Sequence, residues 1–183
     1  MMASFATPNE QLIGSLGVRI HSVGETIKRL LVVDDYEPWR LFLSKALQQK
    51  SELQVIGEAL DGMEAVRQAH NLQPDLVLLD IGLPALNGIE AARQIRKVSP
   101  ASKILFISEN RFLEVARKAL SMGGGGYLVK SDAGRELLPA VDAVLRGKSY
   151  FSASVAGHDS SALFDGEEMK DRNEVGFYAK DAS

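Results

Sequence analysis

From residue 30 onward, short and almost unbroken apolar runs alternate with longer stretches in which apolar residues recur at helical spacing. Four of the runs end on a reactive polar residue. Leu30-Leu31-Val32-Val33 ends on Asp34-Asp35, and Asp75-Leu76-Val77-Leu78-Leu79 ends on Asp80. Lys103-Ile104-Leu105-Phe106-Ile107 ends on Ser108, and Gly126-Tyr127-Leu128-Val129 ends on Lys130. Short apolar runs of this kind are expected of strands buried on both faces. The pattern predicts strands over 30–34, 53–59, 75–79, 103–107 and 126–129.

Between them lie five predicted helices. The first starts near Glu37-Pro38, where a proline in the first turn loses nothing by lacking its N–H, and carries Trp39, Leu43 and Leu47 on one face. The second is capped by Asp61, with Met63, Val66 and Ala69 on a face. The third follows Asn87-Gly88, with Ile89, Ala92 and Ile95 inward. The fourth covers 111–122 and stops at the glycines 123–126, which predict a loose turn. The fifth is capped by Ser131 or Asp132 and carries Leu137, Val141, Val144 and Leu145. Strands alternating with helices imply an α/β fold: a doubly wound parallel sheet covered on both faces. In such a sheet the carboxyl ends of the strands share one edge, where ligands bind. Asp34, Asp35, Asp80, Ser108 and Lys130 therefore gather in one site, suited to a divalent cation and a phosphoryl group.

Composition changes this picture little. With 45% hydrophobic and 25% charged residues the chain is an ordinary globular one, and 183 residues allow one domain with extensions. Absence of cysteine excludes disulfides, thiolate metal sites and a cysteine nucleophile. His21, His70 and His158 converge on no motif. No apolar run is long enough to span a bilayer, and Glu10 stands where a signal peptide would carry basic residues, so a cytoplasmic location without membrane contact is expected. Residues 30–151 hold 15 acidic and 15 basic side chains, whereas 152–183 hold 7 acidic and 3 basic. No basic stripe suggests direct DNA binding by this chain. The expected organisation is an N-terminal extension (1–28), a folded domain (29–151) and an acidic segment (152–183), either a flexible tail or the start of a truncated domain. Glu174–Ala179 is a candidate short strand within it.

The joint pattern of Asp34-Asp35, Asp80 with Leu83-Pro84 and Gly88, Ser108, Tyr127 and Lys130 resembles the receiver domain of two-component response regulators. Gly126 to Asp132 and Leu145-Arg146-Gly147-Lys148 resemble the NarL/FixJ branch. The resemblance implies a flavodoxin-like (βα)5 fold with strand order 2-1-3-4-5. It also implies phosphorylation of Asp80 by a histidine kinase or phosphotransfer protein. Crowded carboxylates repel unless a cation compensates, and Mg2+ suits oxygen donors. Asp34, Asp35 and Asp80 are read as metal ligands, Asp35 more directly than Asp34, with the Gly82 backbone carbonyl added by the resemblance. Asp80 is read as the phosphoacceptor, with Lys130 and Ser108 binding the phosphoryl oxygens, and the resemblance implies that Ser108 and Tyr127 form the switch. The output face would be the fourth helix, fifth strand and fifth helix, a possible homodimer contact, with Arg111, Arg117, Lys118, Arg135, Asp132 and Glu136 as candidate charges. Glu109 stands where the family usually has a small residue and is read as modulating access. Such a domain is a phosphoacceptor assisting its own phosphorylation and dephosphorylation rather than an enzyme. The alternatives are a receiver-like interaction module with little phosphorylation and an aspartyl-phosphate phosphatase; the latter needs a second aspartate where this chain has Gly82.

Overall fold

The computed structural model describes residues 26–156. The expectations for the extension before 26, the tail beyond 156, the strand at 174–179, His21 and His158 lie outside the described residues. The elements run β1 (Lys28–Val33), α1 (Glu37–Leu47), β2 (Leu53–Ala59), α2 (Gly62–Leu72), β3 (Leu76–Asp80), α3 (Gly88–Val98), β4 (Lys103–Ser108), α4 (Leu113–Ser121), β5 (Gly126–Val129), α5 (Ala133–Leu145), β6 (Tyr150–Phe151) and α6 (Ala153–Ala156). All strand pairings are parallel, in the order β2-β1-β3-β4-β5-β6. This is the flavodoxin-like order 2-1-3-4-5 with one strand added.

The period of two along each strand splits the core into two layers. Leu31, Val33, Val77, Leu79, Ile104, Phe106, Tyr127 and Val129 face α2, α3 and α4, which meet them mostly with alanines: Ala65, Ala69, Ala91, Ala92, Ala116 and Ala119. Leu30, Val32, Leu76, Leu78, Leu105, Ile107 and Leu128 face α1 and α5, which supply larger side chains such as Leu43, Leu47, Leu137, Val141 and Val144. Small residues let the first set of helices approach closely.

Several local expectations are corrected by packing. Met63 faces solvent, whereas Ala69 is buried and Val66 packs against the core as expected, and Gly62 and Ala65 complete the buried face of α2. Asp61 caps α2 as expected, accepting from the Glu64 amide, and Asn87 caps α3 in the same way, accepting from the Glu90 amide. Neither Ser131 nor Asp132 caps α5 with a side chain: Lys130–Asp132 forms a 3-10 turn that leads into it. The glycine run at 123–126 is tightly packed. Gly123 has φ +91°, and a Cβ at Gly124 would come within 2.7 Å of Phe106, one at Gly125 within 2.8 Å of Val144. The sheet continues past β5, because Tyr150 and Phe151 pair with Gly126 and Tyr127. Beyond β6, Ser152 and Val155 are buried, and the Ser152 amide donates to the Tyr127 carbonyl (2.9 Å).

Candidate functional site: an acidic cluster at the sheet edge

The connection leaving β1 runs to β2 on one side and the connection leaving β3 runs to β4 on the other, which opens a crevice at the carboxyl ends of β1 and β3. Val33 is in register with Leu79, so Asp34, just beyond β1, stands beside Asp80, the last residue of β3. The next strand brings Ser108 one residue beyond the partner of Asp80, Ile107. Gly88 holds this strand end close to α3, since a Cβ there would fall 1.9 Å from the Asp80 carbonyl oxygen.

Asp34, Asp35 and Asp80 place one carboxylate oxygen each within 4.8 Å of one another. Asp34 and Asp80 are 1% and 5% exposed, whereas Asp35 is open to solvent. Lys130 Nζ lies 2.7 Å from Asp34 Oδ2 and 3.6 Å from Asp80 Oδ2. The Asp34 contact is a close ion pair, and among the described residues Lys130 is the group that meets Oδ2. Oδ1 accepts from the Tyr36 amide (2.9 Å), and Arg40 Nη1 donates to the Asp34 carbonyl (2.9 Å), which fixes the β1–α1 loop.

The charges are strongly interdependent. Burial pushes the Asp80 carboxyl above its ordinary value; the Asp34 and Asp35 charges add to this, against the pull of Lys130 and the Gly82 amide. For Lys130, burial opposes the charge, but Asp34, Asp80 and Glu109 outweigh it and hold the ammonium above its ordinary value. Three mutually repelling hard oxygen donors, whose charge the single Lys130 ammonium only partly offsets, fit a small divalent cation such as Mg2+.

The other anticipated residues stand around this centre. Ser108 is buried, and its Oγ accepts from the Asn110 amide (3.1 Å). Tyr127 is fully buried, and its hydroxyl donates to the Asn110 carbonyl (2.8 Å). Burial raises the Tyr127 pKa, the Ser108 hydroxyl opposes the rise and the Asp80 charge adds to it, so the phenol stays protonated. Gly82 meets the cluster through its amide, which hydrogen-bonds Asp80. Glu109 is exposed, and its field reaches Lys130. His70 is exposed on α2, away from this edge.

Two residues here were not singled out by sequence reasoning. Asn110 links Ser108 to Tyr127 and, through its Oδ1, to the Phe112 amide at the start of α4 (2.7 Å). Trp39, read as part of a packing stripe, lies with its ring centroid 5.4 Å from Lys130 Nζ. Its place in the first turn after Asp34-Asp35 was the available signal. Asp132, a candidate surface charge, is instead buried, with its carboxylate accepting from Ser131 and Ser154. Arg111 donates to Ser131 and Glu136 accepts from the Tyr150 hydroxyl, so both are engaged within the domain.

Among the described residues no helix is long and apolar enough to cross a membrane. Comparison with known proteins accords with the geometry. The response regulator receiver domain model matches residues 30–142. The response regulator protein VraR of Staphylococcus aureus is 36% identical over 130 residues, covering 71% of this chain and 62% of VraR. The matched stretch thus spans under two thirds of that relative's length. Among solved structures, a LuxR-family two-component response regulator from Aurantimonas sp. SI85-9A1 is 32% identical with TM-score 0.71, covering 75% of this chain and 98% of that one. The response regulator domain of Thermotoga maritima CheB is 29% identical with TM-score 0.60, covering 66% and 97% respectively. A parallel sheet of this order, an acidic cluster at its switch point and a family match over most of the folded unit lead to one assignment: the chain belongs to the response regulator receiver domain family of two-component systems.

Proposed function

We propose that this domain accepts a phosphoryl group on Asp80 from a histidine kinase or phosphotransfer protein, in the cytoplasm and with Mg2+. The observation that carries the reading is Lys130 lodged between Asp34 and Asp80 at the ends of adjacent strands, with Asp35 completing a three-carboxylate cluster. Asp34, Asp35, Asp80 and the Gly82 carbonyl would hold the cation, which supplies positive charge against the incoming phosphoryl oxygens. An Asp80 oxygen attacks phosphorus, the phosphorus–nitrogen bond of the donor histidine breaks, and its electron pair stays on the imidazole. The product is an acyl phosphate. Lys130 neutralises one phosphoryl oxygen and the Ser108 hydroxyl donates to another. Attack by water later returns Asp80 and phosphate, so the domain assists both steps on itself rather than turning over a separate substrate.

The switch follows from the hydrogen bonds around Asn110. Drawing the Ser108 hydroxyl to a phosphoryl oxygen takes it from the Asn110 amide, and Asn110 also holds Tyr127 and the start of α4. Movement there repacks the α4–β5–α5 face, which would carry the output and a homodimer contact. Part of that face is covered by the chain itself, through β6 and α6.

The reading is tested with acetyl phosphate and Mg2+, followed by intact mass. A Mg2+-dependent adduct that is absent in Asp80→Asn is expected. No adduct on the native chain would leave only an interaction module.

A further inference from the structure

Trp39 is not needed to explain phosphoryl transfer, and packing alone does not account for its choice. Its two stripe partners on α1, Leu43 and Leu47, are fully buried aliphatic residues. Trp39 instead sits half-buried in the first turn, its ring tilted against Phe42 at 4.9 Å, with its indole N–H buried and without a hydrogen-bond partner among the described residues. A leucine would fill much of that space with no N–H to strand. What the indole adds is an electron-rich face, and the Lys130 ammonium lies over it, 5.4 Å from the centroid. That is within the roughly 6 Å over which a cation is attracted to an aromatic face.

We propose that Trp39 is a positioning residue for phosphoryl transfer, its indole face holding the Lys130 ammonium between Asp34 and Asp80. The inference rests on the phosphoacceptor reading of Asp80. Lys130 stands nearer Asp34 (2.7 Å) than Asp80 (3.6 Å), yet the phosphoryl oxygens arrive on Asp80. An ammonium held only by Asp34 would be drawn off its task. The ring attracts it without consuming a particular N–H, so its three donors stay free to turn from one carboxylate to the phosphoryl oxygen. The ring is one of the groups against the ammonium, and the Lys130 side chain is only 11% exposed. A drier surrounding strengthens its interaction with the reacting group.

The test compares Trp39→Phe, which keeps an aromatic face, with Trp39→Leu, which keeps an apolar one. Each is measured for Mg2+-dependent labelling by acetyl phosphate and for urea unfolding. Trp39→Leu is expected to lower the maximal labelling rate by about 5- to 30-fold and Trp39→Phe by less than about 3-fold. Equal losses in the two variants, or losses that follow their stabilities, would overturn the proposal. A second readout needs no reaction. The chain has a single tryptophan, so its emission reports on this ring alone. A nearby charge shifts indole emission, so native protein and Lys130→Met should differ in emission maximum. Superimposable spectra would sink the contact. If the native chain forms no adduct, the phosphoacceptor reading fails; if it labels and Trp39→Leu labels as fast, only the role of Trp39 fails.

Discussion

The 3-10 turn Lys130–Asp132 joins two regions that bury carboxylates in opposite ways. At its start, Lys130 faces Asp34 and Asp80, which are nearly inaccessible and crowd one another. At its end, Asp132 is 8% exposed, and its carboxylate accepts from the hydroxyls of Ser131 and Ser154. The Asp132 charge is satisfied by neutral donors that belong to the fold, one of them from α6, and it ties the chain beyond β6 back to the turn. At the Asp34–Asp80 pair, burial raises the proton affinity of Asp80 and the Asp34 charge adds to it, against the pull of Lys130. A buried acid closed off by hydroxyls is a fastener, whereas buried acids that crowd one another around a single lysine keep negative charge only partly offset.

The sharpest way to break this contrast is to neutralise each acid. Asp80→Asn should abolish the Mg2+-dependent adduct by intact mass, and Asp132→Asn should leave it. The pH dependence of stability separates them further. The folded Asp80 carboxyl titrates above its unfolded value, so the stability it contributes is complete below roughly pH 4 and is lost as pH rises through the folded value. In metal-free buffer the native chain should therefore lose ground to Asp80→Asn with rising pH, read as urea midpoints. If Asp80→Asn gains nothing near neutral pH, the strain assigned to the cluster is not there.

Next in size is the response to the cation. Mg2+ at 100 times its dissociation constant should stabilise the native fold by about 2.7 kcal/mol through mass action. Thermal or urea unfolding would show the gain reduced in Asp35→Asn and retained in Asp132→Asn. Equal gains in both variants would separate the cation from the acidic cluster.

On the fastener side, Asp132→Ala takes from the Ser154 hydroxyl its carboxylate partner and should cost about 1–3 kcal/mol of unfolding free energy. Ser154→Ala should cost less, with labelling rates unchanged in both. A stable Asp132→Ala whose labelling collapses would move Asp132 into the functional set.

The smallest effect is expected at Glu109, which is exposed and acts on Lys130 through its field. Glu109→Ala should speed labelling by acetyl phosphate by less than about 5-fold, and the gain should shrink with added salt because exposed charges are screened beyond roughly 8 Å at physiological ionic strength. Unchanged kinetics at low salt would remove Glu109 from the entrance.

Much of the architecture was legible because its signals are local. Runs such as Leu30 to Val33 and Leu76 to Leu79 are apolar at every position, as burial on both faces demands, and the start of α2 shows in a single capping residue, Asp61. Other features depend on partners distant in sequence. β6 is two residues long, too short for any periodicity, and exists because β5 offers it an edge. Met63 sits at helical spacing with the inward face of α2, but Gly62 meets the Leu86 backbone so closely that the buried face is shifted toward Ala65. Asp132 looks like a helix cap until Ser154 claims its carboxylate.

The same division runs through the site. The ends of the apolar runs name Asp34, Asp35, Asp80, Ser108 and Lys130, because in a parallel sheet every strand delivers its last residue to one edge. Which of these touch, and on what surface, depends on lateral strand order and side-chain packing, which no linear pattern encodes. Placement of Lys130 nearer Asp34 than Asp80, above the Trp39 ring, arises from strand neighbours and a helix brought together over some 90 residues of chain. Residue identities set the chemistry available; close packing of distant segments sets the distances at which it acts.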